Sequence, residues 1–319
     1  MEFEKLNKAA LPKIAFGTWA WGSGMNGGGM VFGGTVDAAE IKKTFDAAQK
    51  AGFTVWDTAS VYGLGSSESL LAECAGQSPD IIYSTKFTPI ILRPKSAMEK
   101  ALDNSLERLG QPCIDIYWIH MAENVKKWTK EIIPLVKKNK VKYVGLSNHS
   151  LAQLKTAQQI LNDAGIPLSA VQNHYSLLYR ASETTGILEW TRENDIPFFA
   201  YMVLEQGMLT GRYTAESPFP RFSSRGMRYP KSMLKKVKPL QEKIKAIAEA
   251  HQVEQSAVVM AWALSKDTIP LVGVTKERHL QAPVQAVGLT LLAEEIMTLE
   301  AVAGSAGVST KGFWEQTLK

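Results

Sequence analysis

Short runs of β-branched and aromatic residues recur along the chain, and each is followed by a longer stretch with apolar positions at helical spacing. The runs are LPKIAFG (11–17), GFTVWD (52–57), DIIYSTK (80–86), IDIYWIH (114–120), KYVGLS (142–147), LSAVQN (168–173), IPFFAY (196–201) and TIPLVG (268–273). Amphipathic stretches lie between them, and several, such as AMEKALDNSLERLG and LAQLKTAQQILNDAG, end in a glycine that can stop a helix. ASETTGILEWTREND reads as one more helix of this kind. The second to seventh runs start at intervals of roughly thirty residues, about one strand–helix unit each. Strands alternating with helices in this way predict parallel strands buried on both faces. Eight such units in a chain of 319 residues are the arithmetic of an α/β (β/α)8 TIM barrel.

One interval is out of step. Residues 202–267 hold two helical patterns, KSMLKKVKPLQEKIKAIAEAHQ and VEQSAVVMAWALSK, behind the Pro/Gly/Arg-rich stretch ESPFPRFSSRGMRYP. The expectation is a long loop and an inserted helix after strand 7. Beyond strand 8, AEEIMTLEAVAG predicts a further helix before the tail VSTKGFWEQTLK. No linker-like stretch divides the chain, so 1–319 reads as a single domain.

Composition narrows the class. The chain is 45% hydrophobic and 21% charged, ordinary for a globular protein with a substantial core. Its two cysteines, Cys74 and Cys113, form no CxxC pair, which fits a reducing compartment rather than a disulfide framework. The chain opens without a secretory apolar region, and no uncharged stretch is long enough to span a bilayer. A soluble cytoplasmic protein with no membrane partner is therefore expected. Lys and Arg outnumber Asp and Glu by 36 to 31, for a net charge of +5. No dense basic run would track a nucleic-acid backbone. The surplus is either a solvated surface or an attraction for an anionic cofactor. The five histidines and two cysteines lack ligand spacing, so no metal centre is expected.

Candidate chemistry sits at strand ends. Asp57, Lys86 and His120 close the runs TVWD, YSTK and YWIH, and in a TIM barrel such positions converge on one mouth. Tyr62 follows in the loop DTASVYGLG, close enough to fold over that mouth. Singly, such an Asp is more often a cap and such a His structural; the convergence changes the reading. The set suggests carbonyl reduction. A phenol with a pKa of about 10 is a poor acid near neutral pH. A neighbouring ammonium lowers that pKa, and a carboxylate keeps the ammonium charged and oriented. Lys86 would be the tuner, Asp57 its partner, Tyr62 the general acid, and His120 the donor to the substrate carbonyl oxygen. A Schiff-base aldolase with Lys86 as nucleophile is the competing chemistry.

The strings WDTASVYG, STKF, YWIH, GLSNHS and VQNHYS resemble the successive motifs of the aldo-keto reductase superfamily, in order and over nearly the whole chain. The resemblance implies an NADPH-dependent oxidoreductase (NADH remaining possible) acting on a small-molecule aldehyde or ketone. It places the family's tetrad on Asp57, Tyr62, Lys86 and His120. It also implies Ser147, Asn148 and Gln172 against the nicotinamide carboxamide, Tyr201 stacked on the ring, and Gly17 with Thr18 beside its ribose. Ser147 and Asn148 read equally as an N-cap for the helix at LAQLKTAQQI.

After Tyr201 the chain has Met202, Val203 and Leu204 where many members have Ser-Pro-Leu, so a polar contact to the phosphates must come from elsewhere. Leu204, Gln206, Gly207 and Leu209 still resemble the segment that crosses the pyrophosphate through its backbone. Arg212 is either an added charge there or a solvated loop residue. The loop VGVTKERHLQAP resembles the adenosine end, with Gly273 and Thr275 as donors and Lys276, Arg278 or His279 facing a 2′-phosphate. That basic cluster reads equally as a solvated helix start, and Pro283 occupies the place of an adenine-contacting polar residue.

Substrate choice is expected from three mouth segments, WAWGSGMNGGGMVFGGT (19–35), MAENVKKW (121–128) and the tail with Phe313 and Trp314. Trp21 and Trp118 are the expected walls, although Trp118 also fits barrel core. A cofactor-sensing regulatory subunit of the same fold is the non-enzymatic alternative. Oligomeric state has no signature in the sequence.

Overall fold

A computed structural model describes residues 3–25, 27–33, 36–76, 78, 80–89, 94, 96–312, 315 and 318. The eight apolar runs become β1 (Ala15–Gly17), β2 (Val55–Asp57), β3 (Ile82–Phe87), β4 (Ile114–Ile119), β5 (Val141–Ser147), β6 (Leu168–His174), β7 (Phe198–Tyr201) and β8 (Ile269–Gly273). They pair in chain order and β1 returns to β8, closing an all-parallel barrel. This is the TIM barrel that the pattern predicts. β1 starts later than its run because Pro12 has no N–H for a ladder and Leu11 ends the short turn Lys8–Ala10.

Two apolar layers hold the barrel. Ala15, Val55, Ile116, Trp118, Phe199 and Ile269 fill its interior, and Leu6 from the N-terminal segment joins them. Trp118 fits there because β5 presents Gly145, whose missing Cβ would lie 2.3 Å from the indole. The second layer lies between strands and helices.

Helix boundaries follow the sequence with two corrections. ASETTGILEWTREND forms two helices, Ala181–Thr184 and Ile187–Glu193, because Gly186 takes φ 78 between them. The segment 121–128 is only half a loop. Asn124 caps a helix Val125–Lys137, and Trp128 is buried against Phe87 at 4.7 Å, away from the mouth.

The long interval after β7 contains the helices Ser224–Arg228, Lys231–His251 and Gln255–Ser265. The last is apolar almost all round, since Lys231–His251 and Gln281–Gly288 cover it while it packs against β8. Ala293–Ser305 follows β8 as expected. Among the described residues no helix is long and apolar enough to cross a membrane.

Candidate active site

Asp57 ends β2, Lys86 lies near the end of β3, and His120 follows β4 directly. Tyr62 opens the turn Tyr62–Gly65 that crosses above them. The barrel thus brings all four residues to one mouth. Lys86 Nζ pairs with Asp57 Oδ2, with the two side chains 1% and 3% exposed. The ammonium also donates to the Thr58 carbonyl at 2.8 Å. Asp57 Oδ1 accepts from Ser84 Oγ at 2.6 Å and from Gln172 Nε2 at 3.3 Å. Ser84 in turn accepts from Trp118 Nε1 at 2.6 Å. These donors offset the desolvation of the carboxylate and hold it in one orientation.

Lys86 Nζ lies 5.2 Å from the centre of the Tyr62 ring. On its other sides that ring meets His120 edge-on at 6.3 Å and Trp19 in a stack at 5.7 Å. The electrostatics depart from expectation. Burial, then the Asp57 charge, raises the Tyr62 pKa above that of a free phenol. Burial also lowers the Lys86 pKa, against the opposing pull of Asp57. The expected lowering of the phenol by Lys86 is therefore corrected: the ammonium is committed to Asp57 and desolvation dominates at Tyr62. Burial and the Lys86 charge push His120 down to about 3, so its ring is neutral at physiological pH.

The residues read for the nicotinamide end converge on the same mouth. Ser147 on β5 is in register with Gln172 on β6. Asn148, at φ 65, donates from Nδ2 to the His120 carbonyl at 2.9 Å and to Ser147 Oγ at 3.1 Å. Its Oδ1 accepts from the Tyr201 hydroxyl at 2.5 Å. The N-cap alternative for Ser147 and Asn148 falls away, because Ser150 and Gln153 form a capping box on helix Leu151–Asn162. Amide and hydroxyl groups gathered beside an aromatic face suit a carboxamide-bearing ring.

Other candidates divide. Gly17 lies beside Asp57 and Gly273 in the ladder, both glycines at the mouth. Thr18 is fully buried, with its hydroxyl against Ser67 Oγ at 2.8 Å and its N–H on the Asp57 carbonyl at 2.9 Å, so it offers no donor to a ribose. Leu204 and Gln206 are partly exposed, whereas Leu209 is fully buried. The N–H groups of Gly207 and Leu209 both donate to the Leu204 carbonyl, at 2.9 and 3.2 Å. Those two amides are therefore spoken for within the turn.

At the β8 end, the Thr275 N–H donates to His279 Nδ1 at 3.3 Å. Burial, then Arg278, Lys276 and Arg212, holds His279 below its usual pKa. His279 Nδ1 is thus engaged as an acceptor, and burial with the neighbouring cations disfavours charge on its ring. Arg212, from the loop after β7, joins Lys276 and Arg278 in one positive cluster with Glu40 as nearby counter-charge, 3.8 Å from Lys276. A surplus of cations held by two loops suits a phosphate ester. Pro283 is buried in its helix and presents no polar group.

Neither expected tryptophan is a substrate wall. Trp21 is 1% exposed, packs on Trp56 at 5.1 Å and donates to the Val274 carbonyl at 2.6 Å. Trp118 lies wholly inside the barrel beneath Ser84. The tryptophan on the Tyr62 side is instead Trp19, half-buried, stacked on Tyr62 and edge-on to Phe32 at 5.3 Å. Trp19 and Trp21 bracket a single turn, which sends them to opposite sides, and nothing in WAWG marks which faces in. Ser84 carried a usable signal: it lies two residues before Lys86, on the same face of the strand. Phe313 and Trp314 fall outside the described residues.

The sequence profile of the Aldo/keto reductase family matches residues 13–303. The aldo-keto reductase str7 of Strobilurus tenacellus is 31% identical to this chain, over 94% of this chain and 91% of its own. The Schizosaccharomyces pombe aldo-keto reductase yakc, whose name carries NADP(+), is 31% identical over 73% of this chain and 74% of its own. Among solved structures, the glycerol dehydrogenase AKR11B4 from Gluconobacter oxydans shares the fold with a TM-score of 0.80, at 23% identity over 95% of this chain and 94% of that one. With a profile match over most of the chain and a closed parallel barrel carrying the tetrad at its mouth, this protein belongs to the aldo/keto reductase family.

Proposed function

We propose that the chain is an NADPH-dependent carbonyl reductase, reversible as an alcohol dehydrogenase, with Tyr62 as general acid and base. The observation that carries the reading is the buried Asp57–Lys86 pair beneath Tyr62, with neutral His120 across from it at the mouth shared by Ser147, Asn148, Gln172 and Tyr201. A bound reduced nicotinamide would supply the hydride. Asn148, Ser147 and Gln172 would hold its carboxamide, Tyr201 would flank the ring, and Arg212, Lys276 and Arg278 would meet the 2′-phosphate. Gly17, Gly273, Leu204 and Gln206 would line its path.

The chain's own groups then divide the proton work. His120 donates a hydrogen bond to the carbonyl oxygen and holds it against the Tyr62 hydroxyl. Tyr62, its pKa raised by burial, keeps its proton until that oxygen gains negative charge and becomes the stronger base. The phenolate left behind faces the Lys86 ammonium, which Asp57 keeps charged. In the oxidative direction Tyr62 takes the proton back. The aldolase alternative is disfavoured because the Lys86 ammonium is bound to both Asp57 and the Thr58 carbonyl, leaving no free amine to attack.

A panel of aldehydes, ketones, sugars and polyols with NADPH and NADH tests the reading, run on the wild type and on Tyr62→Phe. The expected outcome is turnover of at least one carbonyl by the wild type. The variant should lose at least about a hundred-fold in kcat while NADPH affinity, read by fluorescence, stays within about two-fold. Near-normal turnover in the variant would overturn the role of Tyr62.

A further inference from the structure

We propose that Thr88 is a positioning residue that decides which nitrogen of His120 carries the proton, and so makes Nε2 a hydrogen-bond donor toward the reacting oxygen. The inference rests on the carbonyl-reduction reading above and extends it to a residue outside the tetrad.

The geometry starts in the barrel ladder. β3 and β4 pair Phe87 with Ile119, and the His120 N–H donates to the Phe87 carbonyl at 2.9 Å. One step further, Thr88 and His120 are neighbours, with Thr88 Oγ1 3.0 Å from His120 Nδ1. Strand alternation gives Thr88 the same face as Lys86 and Ser84. The His120 backbone is held from just beyond β5, where Asn148 Nδ2 donates to the His120 carbonyl at 2.9 Å. The ring therefore has a fixed place and a fixed partner on its Nδ1 side.

A neutral imidazole has one N–H and one lone pair, and the partner of one nitrogen determines the role of the other. Burial and the Lys86 charge keep this ring neutral. The sp2 nitrogen is a strong acceptor, and among the described residues the Thr88 hydroxyl has no other hydrogen-bond partner. Thr88 donates, Nδ1 accepts, and the ring proton sits on Nε2. The reverse tautomer would aim an Nε2 lone pair at a carbonyl oxygen on which negative charge grows, an interaction that repels where it should stabilise. A protonated ring would donate from both nitrogens and make Thr88 irrelevant, but the neighbouring ammonium opposes it.

The test combines imidazole 15N spectra of the full-length chain with steady-state reduction of one aldehyde that the wild type turns over, using NADPH. Variants are Thr88→Val, which keeps the shape and removes the hydroxyl, and Thr88→Ser, which restores it; a His120→Gln spectrum assigns the signal. The expected result is an Nε2–H tautomer in the wild type, conversion of a measurable fraction to Nδ1–H in Thr88→Val, and a fall in kcat of about ten-fold or more. NADPH affinity should change by less than about two-fold, and Thr88→Ser should recover both tautomer and kcat. A wild-type Nδ1–H tautomer would overturn the proposal, as would a Thr88→Val enzyme whose tautomer or kcat is unchanged. If Thr88 governs the tautomer but the wild type reduces no carbonyl, the functional reading beneath the proposal is overturned instead.

Discussion

Lys86 and Asp57 show how far burial reshapes single side chains. Each ion loses several kcal/mol of hydration in such a place, and only good geometry with further hydrogen bonds restores it. Asp57 has Lys86, Ser84 and Gln172, and Lys86 has Asp57 and Thr58. The cations at the β8 end lie at the opposite extreme. Lys276 is 43% exposed, and its 3.8 Å pairing with Glu40 is of the solvent-screened kind that contributes little. It is therefore free to turn to a phosphate. Changing Lys276 and Arg278 together to Ala should raise the NADPH dissociation constant by about ten-fold or more, as loss of charge-assisted hydrogen bonds does. NADH, which lacks the 2′-phosphate, should lose less than about two-fold. Fluorescence titration of both nucleotides decides it, and equal losses would remove the 2′-phosphate reading.

Two mouth elements that are distant in sequence are clasped by one side chain. The short helix Gly28–Phe32 in the loop after β1 meets Ser224–Arg228 in the insertion after β7. Arg225 donates to the Phe32 carbonyl from Nη2 and to the Gln206 carbonyl from Nη1 at 3.3 Å. Its guanidinium lies over the rings of Phe32, Tyr213 and Phe219 at 5.3–5.6 Å. Cation–π contacts of this kind contribute about 0.5–2 kcal/mol each. The clasp touches Gln206, in the segment read as crossing the pyrophosphate. Arg225→Ala should therefore speed cofactor release by about ten-fold while leaving the barrel intact. Stopped-flow displacement measures it; an unchanged release rate with lower thermal stability would make the clasp purely structural.

Across the whole molecule, a buried charge cluster ties the C-terminal segment to the barrel. His174 at the end of β6 meets Glu205 through Nε2 at 2.9 Å and Glu315 through Nδ1 at 3.0 Å. Glu205, at φ 46, also accepts from Thr310 Oγ1 at 2.7 Å and from the Tyr229 hydroxyl at 3.0 Å. Carboxylates on both ring nitrogens require both to donate, so this imidazole is the cation. Burial by itself would lower its pKa, but Glu205 and Glu315 outweigh that and raise it from 6.5 to about 9. A raised histidine pKa contributes stability that is complete below the unfolded value and lost as pH climbs through the folded one. Here that loss amounts to roughly 3 kcal/mol, spread between about pH 6.5 and about pH 9 and nearly complete at the upper end. Urea unfolding at about pH 7 and pH 9.5 should show it in the wild type and not in His174→Gln. The same pH dependence in both proteins would place the sensitivity elsewhere.

The sequence by itself determined the eightfold strand–helix alternation, the insertion after β7, the strand-end positions of Asp57, Lys86 and His120 and the loop position of Tyr62, because backbone periodicity and covalent order suffice for them. It also carried the basic residues of the β8 loop as a local string. Tertiary structure alone decided which way side chains face and what surrounds them. It turned Trp19 toward Tyr62 and Trp21 into the core, took the Thr18 hydroxyl to Ser67, and broke one expected helix at Gly186. It also brought Arg212 to Lys276 and Arg278, and Thr88 to His120, from separate strands and loops. The reversed direction at Tyr62 has the same origin. Desolvation depends on everything packed around a group, and the order of residues along the chain does not contain that sum.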